Sequence, residues 1–151
     1  MSKLWAASTW AFFHGLAENI RPDFYSRNHP YLLAMVKGIC ANLPCPTCRM
    51  HASAYMARVH PRDVQTRAKF RMFLYRFHNT VNARLGKPQY PIKGLGKYRT
   101  RKVGYIFKAF LAGFTKSYGG LTPGLVNQAG QRRQYATALV AWIRPRWRYM
   151  F

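Results

Sequence analysis

The pair Cys45-Pro46-Thr47-Cys48 constrains this chain more than any other feature of its sequence. The C-x-x-C spacing is that of a redox dithiol or of half a zinc site. If the stretch starts a helix, both sulfurs lie on the first turn, where free backbone N–H groups and the helix dipole favour a thiolate. Pro46 suits such a first turn. No second C-x-x-C and no H-x3-H follows, so a redox pair is favoured over zinc and we expect no metal.

Composition limits the class of protein. A chain of 151 residues is long enough for one domain with a real core. Its 25 Lys and Arg against 3 acids give a net charge of +22, which favours polyanionic partners and leaves too few carboxylates for a two-metal nuclease site. An odd count of 3 cysteines excludes a disulfide-stapled secreted scaffold. No apolar run predicts a transmembrane span or a cleaved signal peptide, so we expect the protein on the cytosolic side.

Hydrophobic periodicity predicts four helices joined by short connections. They cover residues 3–20, 29–43, 45–59 and 70–85, and Gly86 ends the last one. Pro30 lies near the predicted start of the second helix. This pattern predicts an all-α fold, an antiparallel four-helix bundle.

The composition shifts after residue 92. Residues 93–151 hold 12 basic residues and no acid, and they predict two further helices, 103–118 and 126–143, after a basic linker at 94–102. We therefore predict two parts, a bundle at 1–92 and a basic, aromatic-rich, partly helical C-terminal extension at 93–151.

Polar residues interrupt the apolar faces of two predicted helices. His78 and Asn82 are one turn apart on the fourth helix, and Trp10 and His14 are one turn apart on the first. A histidine and an asparagine in one row on an otherwise apolar helix indicate a polar ligand held between helices.

These motifs together resemble a known family. The run Trp10-x3-His14, then Cys45-x2-Cys48, then His78-Asn79-x-Val81-Asn82-x4-Lys87-Pro88-x-Tyr90 is similar to the Erv/ALR FAD-linked sulfhydryl oxidases, particularly the compact versions of large cytoplasmic DNA viruses such as iridoviruses. The resemblance covers roughly residues 5–92, and the order and spacing of the three pieces make it specific.

The resemblance implies a helical bundle with FAD held at one end. Trp10 and His14 would line the pocket, His78 and Lys87 would hold adenine and pyrophosphate together with the asparagines, and apolar side chains would form the walls. The implied cofactor-binding residues are Thr9, Trp10, His14, Cys48, His78, Asn79, Val81, Asn82, Leu85, Lys87 and Tyr90, with Arg84 a further candidate for the phosphate charge.

The resemblance also implies a mechanism. Cys45 would receive the substrate thiolate, Cys48 would pass electrons to the flavin, and dioxygen would become hydrogen peroxide. The chain lacks a second cysteine pair for shuttling, so either client thiols reach Cys45 directly or a separate small dithiol carrier relays the electrons. The positions Lys69 and Ile92 stand where relatives carry a structural disulfide. We expect Cys40 to be a buried free thiol.

The apolar surface of the first two helices and the basic extension predict the partners of the protein. Helices one and two carry aromatic and aliphatic surface, with Trp5, Phe12, Tyr31 and Met35, and predict a homodimer. The extension interleaves aromatics with arginines, which predicts docking to a capsid or membrane surface ahead of nucleic acid, in the virion or at assembly sites in the host cytoplasm. A truncated chain ending near Tyr98 would then keep FAD and turnover. The alternative function is a minor capsid or scaffold protein that docks by this extension.

Overall fold

The computed structural model describes residues 4–99 and 102–151, and this part of the chain is helical without strands. The start of the first predicted helix at residue 3 and the part of the predicted basic linker at 100–101 lie outside the described residues. Within the described residues there are seven α-helices and three short 3-10 helices, and the 3-10 helices lie at Pro61–Val64, Ile92–Tyr98 and Arg144–Arg146. The α-helices are α1 (Leu4–Asn19), α2 (Pro22–Ala41), α3 (Pro46–Met56), α4 (Arg67–Arg84), α5 (Val103–Thr115), α6 (Pro123–Ile143) and α7 (Trp147–Met150).

The first four helices form the predicted bundle, and the predicted helical fold class is confirmed. Their shared core is apolar and aromatic, and it includes Phe13, Leu16, Val36, Phe70 and Leu74. At the end of α4, Gly86 has φ of +66°, a left-handed conformation that glycine adopts without a Cβ penalty. The predicted stop at this residue is therefore confirmed.

The start of α2 differs from its prediction. The helix begins at Pro22 rather than at residue 29, and Pro30 lies inside it. A proline in a helix leaves the carbonyl four residues earlier without its N–H donor. Here that carbonyl belongs to Ser26, and the His29 ring nitrogen Nδ1 lies 2.9 Å from its oxygen. The side-chain contact replaces the missing backbone bond, so the helix continues through Pro30.

The C-terminal extension packs onto the bundle as part of the same core. Phe110 of α5 stacks on Phe12 of α1 with ring centroids 4.6 Å apart, and Phe107 lies 5.2 Å from the same ring. Gly113 lets α5 approach closely, because a Cβ there would lie 2.7 Å from the Ser8 hydroxyl and 3.1 Å from the backbone of α1. Phe12 is 1% exposed as a result.

Helices α6 and α7 cover α2 and its connection to α1. Trp142 stacks on Tyr31 with ring centroids 3.9 Å apart, and the Tyr135 hydroxyl donates to the carbonyl of Met35 at 3.1 Å. The chain end returns to the bundle, where the Arg21 N–H donates to the carbonyl of Met150 at 2.7 Å.

Two expectations change because of this packing. The apolar surface of α1 and α2 is largely covered within the chain, since Phe12 and Met35 are only 1% and 2% exposed. Phe107, Phe110 and Phe114 of α5 are buried, so the expectation that they form a docking surface is wrong for these three, whereas Tyr105 on the same helix is exposed. The homodimer, the division at residue 92 and the dispensability of the extension themselves stay predictions.

None of the helices in the described part of the chain is long and apolar enough to cross a lipid bilayer.

Candidate redox and cofactor site

The cysteine pair lies at the start of α3, as the sequence predicts. Cys45 is the N-cap residue, Pro46 occupies the first turn, and the Cys48 N–H donates to Cys45 Sγ at 3.2 Å. The two cysteines form a disulfide, with Cα atoms 5.1 Å apart. The N-terminus of α3 therefore supplies a hydrogen-bond donor and a positive dipole end to the sulfur of Cys45.

The two sulfurs have different surroundings. Cys48 packs against the apolar core, whereas the neighbouring Pro46 and Thr47 are exposed to solvent beside half-buried Cys45. Arg49 fixes the segment that precedes α3, because its Nη1 donates to the carbonyl of Leu43 at 2.6 Å. Both cysteines are half-buried, and of the two Cys48 is the one that packs against the apolar core, which suits exchange at Cys45 followed by electron transfer from Cys48.

Aromatic rings from α1 and α4 form a stack elsewhere in the bundle. The rings of Trp10 and His78 are nearly parallel, with centroids 4.0 Å apart. His14 Nε2 lies 2.8 Å from His78 Nδ1, and Tyr90 lies 5.0 Å from the His78 ring. The structure thus brings together four of the predicted cofactor-binding residues. We refer to Trp10, His14, His78 and Tyr90 as the ring stack.

Both histidines of the ring stack are neutral at physiological pH. Burial, followed by the charges of His78 and Lys97, lowers the pKa of His14 to about 3. Burial, followed by the charges of Lys87 and Lys97, lowers the pKa of His78 to about 4. One imidazole therefore donates the shared hydrogen bond and the other accepts it.

The side chains of Asn79 and Thr9 already make hydrogen bonds within the protein, and Asn82 is bonded through its backbone. The Asn79 side chain accepts from the Tyr90 N–H at 2.7 Å and donates to the Tyr90 carbonyl at 3.2 Å. Asn82 is buried, and its carbonyl accepts from the Lys87 N–H at 2.8 Å. The Thr9 hydroxyl donates to the carbonyl of Trp5. Asn79 thus positions Tyr90 of the ring stack, and the cofactor contacts of all three residues stay predictions.

The remaining predicted residues border the same region of α4. Val81 is half-buried against the core, and Leu85 is 46% exposed. Lys87 is exposed, but its charge reaches His78. Cys40 is a buried free thiol, as expected, and burial raises its pKa to about 12, which removes it from thiol exchange.

Two residues that the sequence assigned to the linker lie at the ring stack. Lys97 is 5.5 Å from the Tyr90 ring centroid, and Tyr98 is 5.4 Å from the His14 ring centroid. The 3-10 helix at Ile92–Tyr98 carries both, and the Tyr90 hydroxyl donates to Gly94 within it. The motif Lys87-Pro88-x-Tyr90 was the sequence signal that the segment after α4 stays close to the site.

A buried carboxylate ties this segment to the bundle. Glu18 of α1 accepts hydrogen bonds from Arg71 Nε of α4 and, at 2.8 Å, from Arg99 Nε after the 3-10 helix. The Glu18 side chain is 2% exposed. No motif indicated Glu18. The rarity of acids, 3 against 25 Lys and Arg, was the one signal that could have drawn attention to it.

The ring stack has the chemistry that a flavin dinucleotide needs. Flat aromatic faces suit its heterocycles, and the cations Lys87 and Lys97 suit its pyrophosphate. A separate cavity of about 490 Å³ opens between α3 and α4, lined by residues such as Tyr55, Lys69 and Arg76, and it includes none of the predicted cofactor-binding residues. Across residues 4–99 and 102–151, no group of three or more His, Cys, Asp or Glu is placed to hold a metal ion.

Comparisons with known proteins agree with these features. The sequence profile of the Erv1 / Alr family matches residues 7–102, ten residues beyond the predicted end of the resemblance. A protein of Invertebrate iridescent virus 3, provisionally named FAD-linked sulfhydryl oxidase, is 36% identical over 94 residues, which are 60% of this chain and 62% of that protein. A protein of Invertebrate iridescent virus 6 with the same provisional name is 34% identical over 100 residues, 58% of this chain and 85% of that protein.

A more distant relative carries the same name. The FAD-linked sulfhydryl oxidase of African swine fever virus is 29% identical over 86 residues, 56% of this chain and 66% of that protein. The chain thus spans somewhat under two thirds of the iridescent virus 3 protein and of the African swine fever virus protein. No solved structure matches the chain.

Proposed function

Because this chain belongs to the Erv1 / Alr family, whose viral members are named FAD-linked sulfhydryl oxidases, we propose that it oxidises protein dithiols to disulfides and passes the electrons to dioxygen, giving hydrogen peroxide. The observation that carries this proposal is the half-buried disulfide at the N-terminus of α3, with Cys45 at the N-cap and Cys48 packed against the core. The substrate is a client protein or a small dithiol carrier.

The first step of the reaction uses the geometry of α3. A substrate thiolate attacks Cys45 Sγ, the Cys45–Cys48 bond breaks, and Cys48 leaves as a thiolate. A second substrate thiolate then attacks the mixed disulfide and releases Cys45, whose sulfur is held as an acceptor for the Cys48 N–H. The helix N-terminus stabilises negative charge on the sulfur in both steps.

The ring stack is the part of the chain that would hold the cofactor. FAD is the cofactor of this family, and when bound it accepts two electrons from a dithiol and delivers them to dioxygen. The rings of Trp10 and His78 stack on each other in this structure, so the faces that they do not share would be the ones to bind its flat rings. Lys87 and Lys97 would bind the pyrophosphate, and the neutral His14–His78 pair would give hydrogen bonds without adding a charge.

Oxygen consumption in air tests this proposal. The purified wild-type protein should be yellow and should consume dioxygen when given dithiothreitol. Cys48→Ser should abolish turnover while keeping the yellow colour, because other helices form the ring stack. Cys40→Ser is the matched control and should keep turnover, since Cys40 is buried and unpaired. Full turnover in Cys48→Ser would contradict the mechanism.

A second function, docking to a virion component, is favoured by one surface. The C-terminal basic patch comprises Arg144, Arg146, Arg148 and Tyr149, and Arg144, Arg148 and Tyr149 are exposed. The guanidinium of Arg146 lies 4.6 Å from the Trp142 ring centroid, and that of Arg148 lies 4.7 Å from Tyr149. Cations beside aromatic rings suit the anionic surface of a membrane or a capsid shell better than a purely solvated face. The site of action would then be the host cytoplasm at assembly sites, or the virion.

Charge reversal tests the docking function. Arg144→Glu with Arg148→Glu should reduce co-sedimentation of the full chain with anionic vesicles, while oxygen consumption with dithiothreitol stays at the wild-type rate. High salt should weaken the binding only in part, whereas binding to nucleic acid through phosphates would collapse steeply. Unchanged sedimentation of the double variant would exclude this patch as the anchor.

Homodimerisation stays a separate proposal. The surface from which it was predicted is largely covered by α5 and α6, so a dimer would have to use the parts left exposed, such as Leu4 and Tyr31. Light scattering at micromolar concentration measures the state directly.

A further inference from the structure

The disulfide lies beside a surface to which the extension contributes. We name Cys45, the N-cap of α3, together with Arg49 of α3 and Gln131 of α6 the thiol face. Gln131 and Arg49 line the same small cavity, together with Gln128, Ala41 and Asn42. Helix α6 thus reaches the region of the redox cysteines. Its residues lie beyond the family match, which ends at residue 102.

The thiol face is positively charged. Arg49 lies one turn after Cys45, and its N–H donates to the Cys45 carbonyl at 2.9 Å. Arg132 of α6 follows Gln131 but is buried, with its Nε donating to the carbonyl of Phe114 at 3.1 Å, and burial followed by the charge of Arg49 lowers the pKa of its guanidinium. The N-terminus of α3 adds the positive end of its dipole beside Cys45.

No carboxylate of the chain balances this charge, and all three acids lie within the described residues. Glu18 is buried between Arg71 and Arg99. Asp23 pairs with Arg27 in the first turn of α2, and about 28 Å of helix separates it from the end that leads to the disulfide. Asp63 follows the opposite end of α3, where it accepts from the His60 N–H.

We propose that the thiol face is the docking surface for the electron donor, and that this donor is a protein segment whose cysteine pair is flanked by Asp or Glu. The inference rests on the proposed thiol oxidase function and deepens it by naming the charge of the substrate and by giving α6 one wall of its binding surface. A basic donor would meet uncompensated repulsion, because the net charge of the chain is +22.

The exchange between the docked donor and the enzyme conserves bonds, electrons and protons between the two proteins. One donor thiolate forms a bond to Cys45 Sγ as the Cys45–Cys48 bond breaks, and the other donor thiolate then displaces Cys45. The donor loses two electrons and becomes a disulfide, the enzyme pair gains them and becomes a dithiol, and the two protons of the donor thiols pass to the enzyme thiols through solvent.

Anaerobic reduction of the full-length protein tests the docking. The probes are two synthetic peptides of equal length, each with a C-x-x-C dithiol, one flanked by two glutamates on each side and one by two lysines. The second-order rate of Cys45–Cys48 reduction is measured by thiol labelling and mass. Rates are compared per thiolate, because glutamates raise the pKa of the peptide thiols. We expect the acidic peptide to react at least about tenfold faster at low salt, with the advantage falling as salt rises.

Substitutions at Gln131 test the role of α6. Gln131 is exposed, so Gln131→Glu should slow the acidic peptide about threefold and Gln131→Lys should speed it by a similar factor, as expected for exposed charge pairs. The effect on the rate with dithiothreitol, which attacks with a single thiolate charge and carries no glutamates, should be smaller than the effect on the acidic peptide. The matched controls are Ala141→Glu and Ala141→Lys, at an exposed position of α6 about 15 Å further along the helix, and they should have no effect on either peptide.

The possible results separate the two proposals. Equal rates for the two peptides, or a faster basic peptide, would overturn the acidic donor. Equal effects of Glu and Lys at residue 131 would overturn the contribution of α6. Because this assay contains no oxygen, it reports on docking even if the protein does not consume dioxygen with dithiothreitol, which is the result that would overturn the oxidase proposal.

Discussion

The ring of Phe110 in α5 stacks on the ring of Phe12 in α1 with centroids 4.6 Å apart, and neither side chain is more than 1% exposed. These residues are almost a hundred positions apart in the chain. Their contact joins the C-terminal extension to the four-helix bundle, so the extension is a structural part of the core.

The first prediction follows from this contact. Phe110→Ala should lower the free energy of unfolding by about 3–5 kcal/mol, because it removes a fully buried ring and leaves a cavity against α1. Chemical denaturation of the full chain measures the change. Tyr105→Ala on the same helix is the control, since Tyr105 is 72% exposed, and it should change stability by less than about 0.5 kcal/mol. Wild-type stability in Phe110→Ala would show that the extension is only loosely attached.

The second prediction concerns the buried carboxylate. Glu18→Gln should lower the free energy of unfolding by about 1–3 kcal/mol, because it leaves Arg71 and Arg99 without their shared anion. It should also weaken FAD binding, since Arg99 secures the segment that carries Lys97. Asp23→Asn, which removes a pair exposed on the surface, is the control and should leave both properties nearly unchanged. Equal effects of the two substitutions would contradict a clamp at Glu18.

The third prediction concerns the cofactor. FAD added to the stripped protein should raise the melting temperature, because a ligand of the folded state stabilises it by mass action, about 2.7 kcal/mol at a hundred times the dissociation constant. Trp10→Ala should lose the yellow colour and this rise. Trp142→Ala, which removes a tryptophan stacked on Tyr31 instead, should lower stability but keep the colour. A yellow Trp10→Ala protein with wild-type affinity would remove the ring stack from the cofactor site.

The fourth prediction concerns pH. The pKa values of His14 and His78 are lowered to about 3 and about 4, so below pH 6.5 the unfolded state binds protons that the native state does not. Stability should therefore fall as the pH decreases from 7 to 5, by roughly 2 kcal/mol for each histidine. Urea denaturation of the cofactor-free protein across this range measures the slope, and His14→Gln should reduce it by about half. A flat profile would mean that the pair holds a proton in the native state.

Local chemistry explains which features could be predicted from the sequence. The N-cap position of Cys45, the glycine stop at Gly86 and the shared rows of Trp10–His14 and His78–Asn82 all depend on neighbours within one or two helical turns. The start of α2 was predicted wrongly for an equally local reason. Proline was treated as a boundary, whereas the His29 ring takes over the bond to Ser26 that Pro30 cannot make.

The sequence by itself determined the bundle helices, the redox pair and the family, because helical periodicity, capping and motif spacing are properties of short stretches. Only the tertiary structure decided that Lys97 and Tyr98 lie at the ring stack, that Glu18 binds Arg71 and Arg99, and that α5 covers α1. An apolar helix face is satisfied equally well by a second copy, a partner or a later segment of its own chain. The sequence pattern predicts that the face is buried. Which segment covers it depends on how the helices pack in three dimensions.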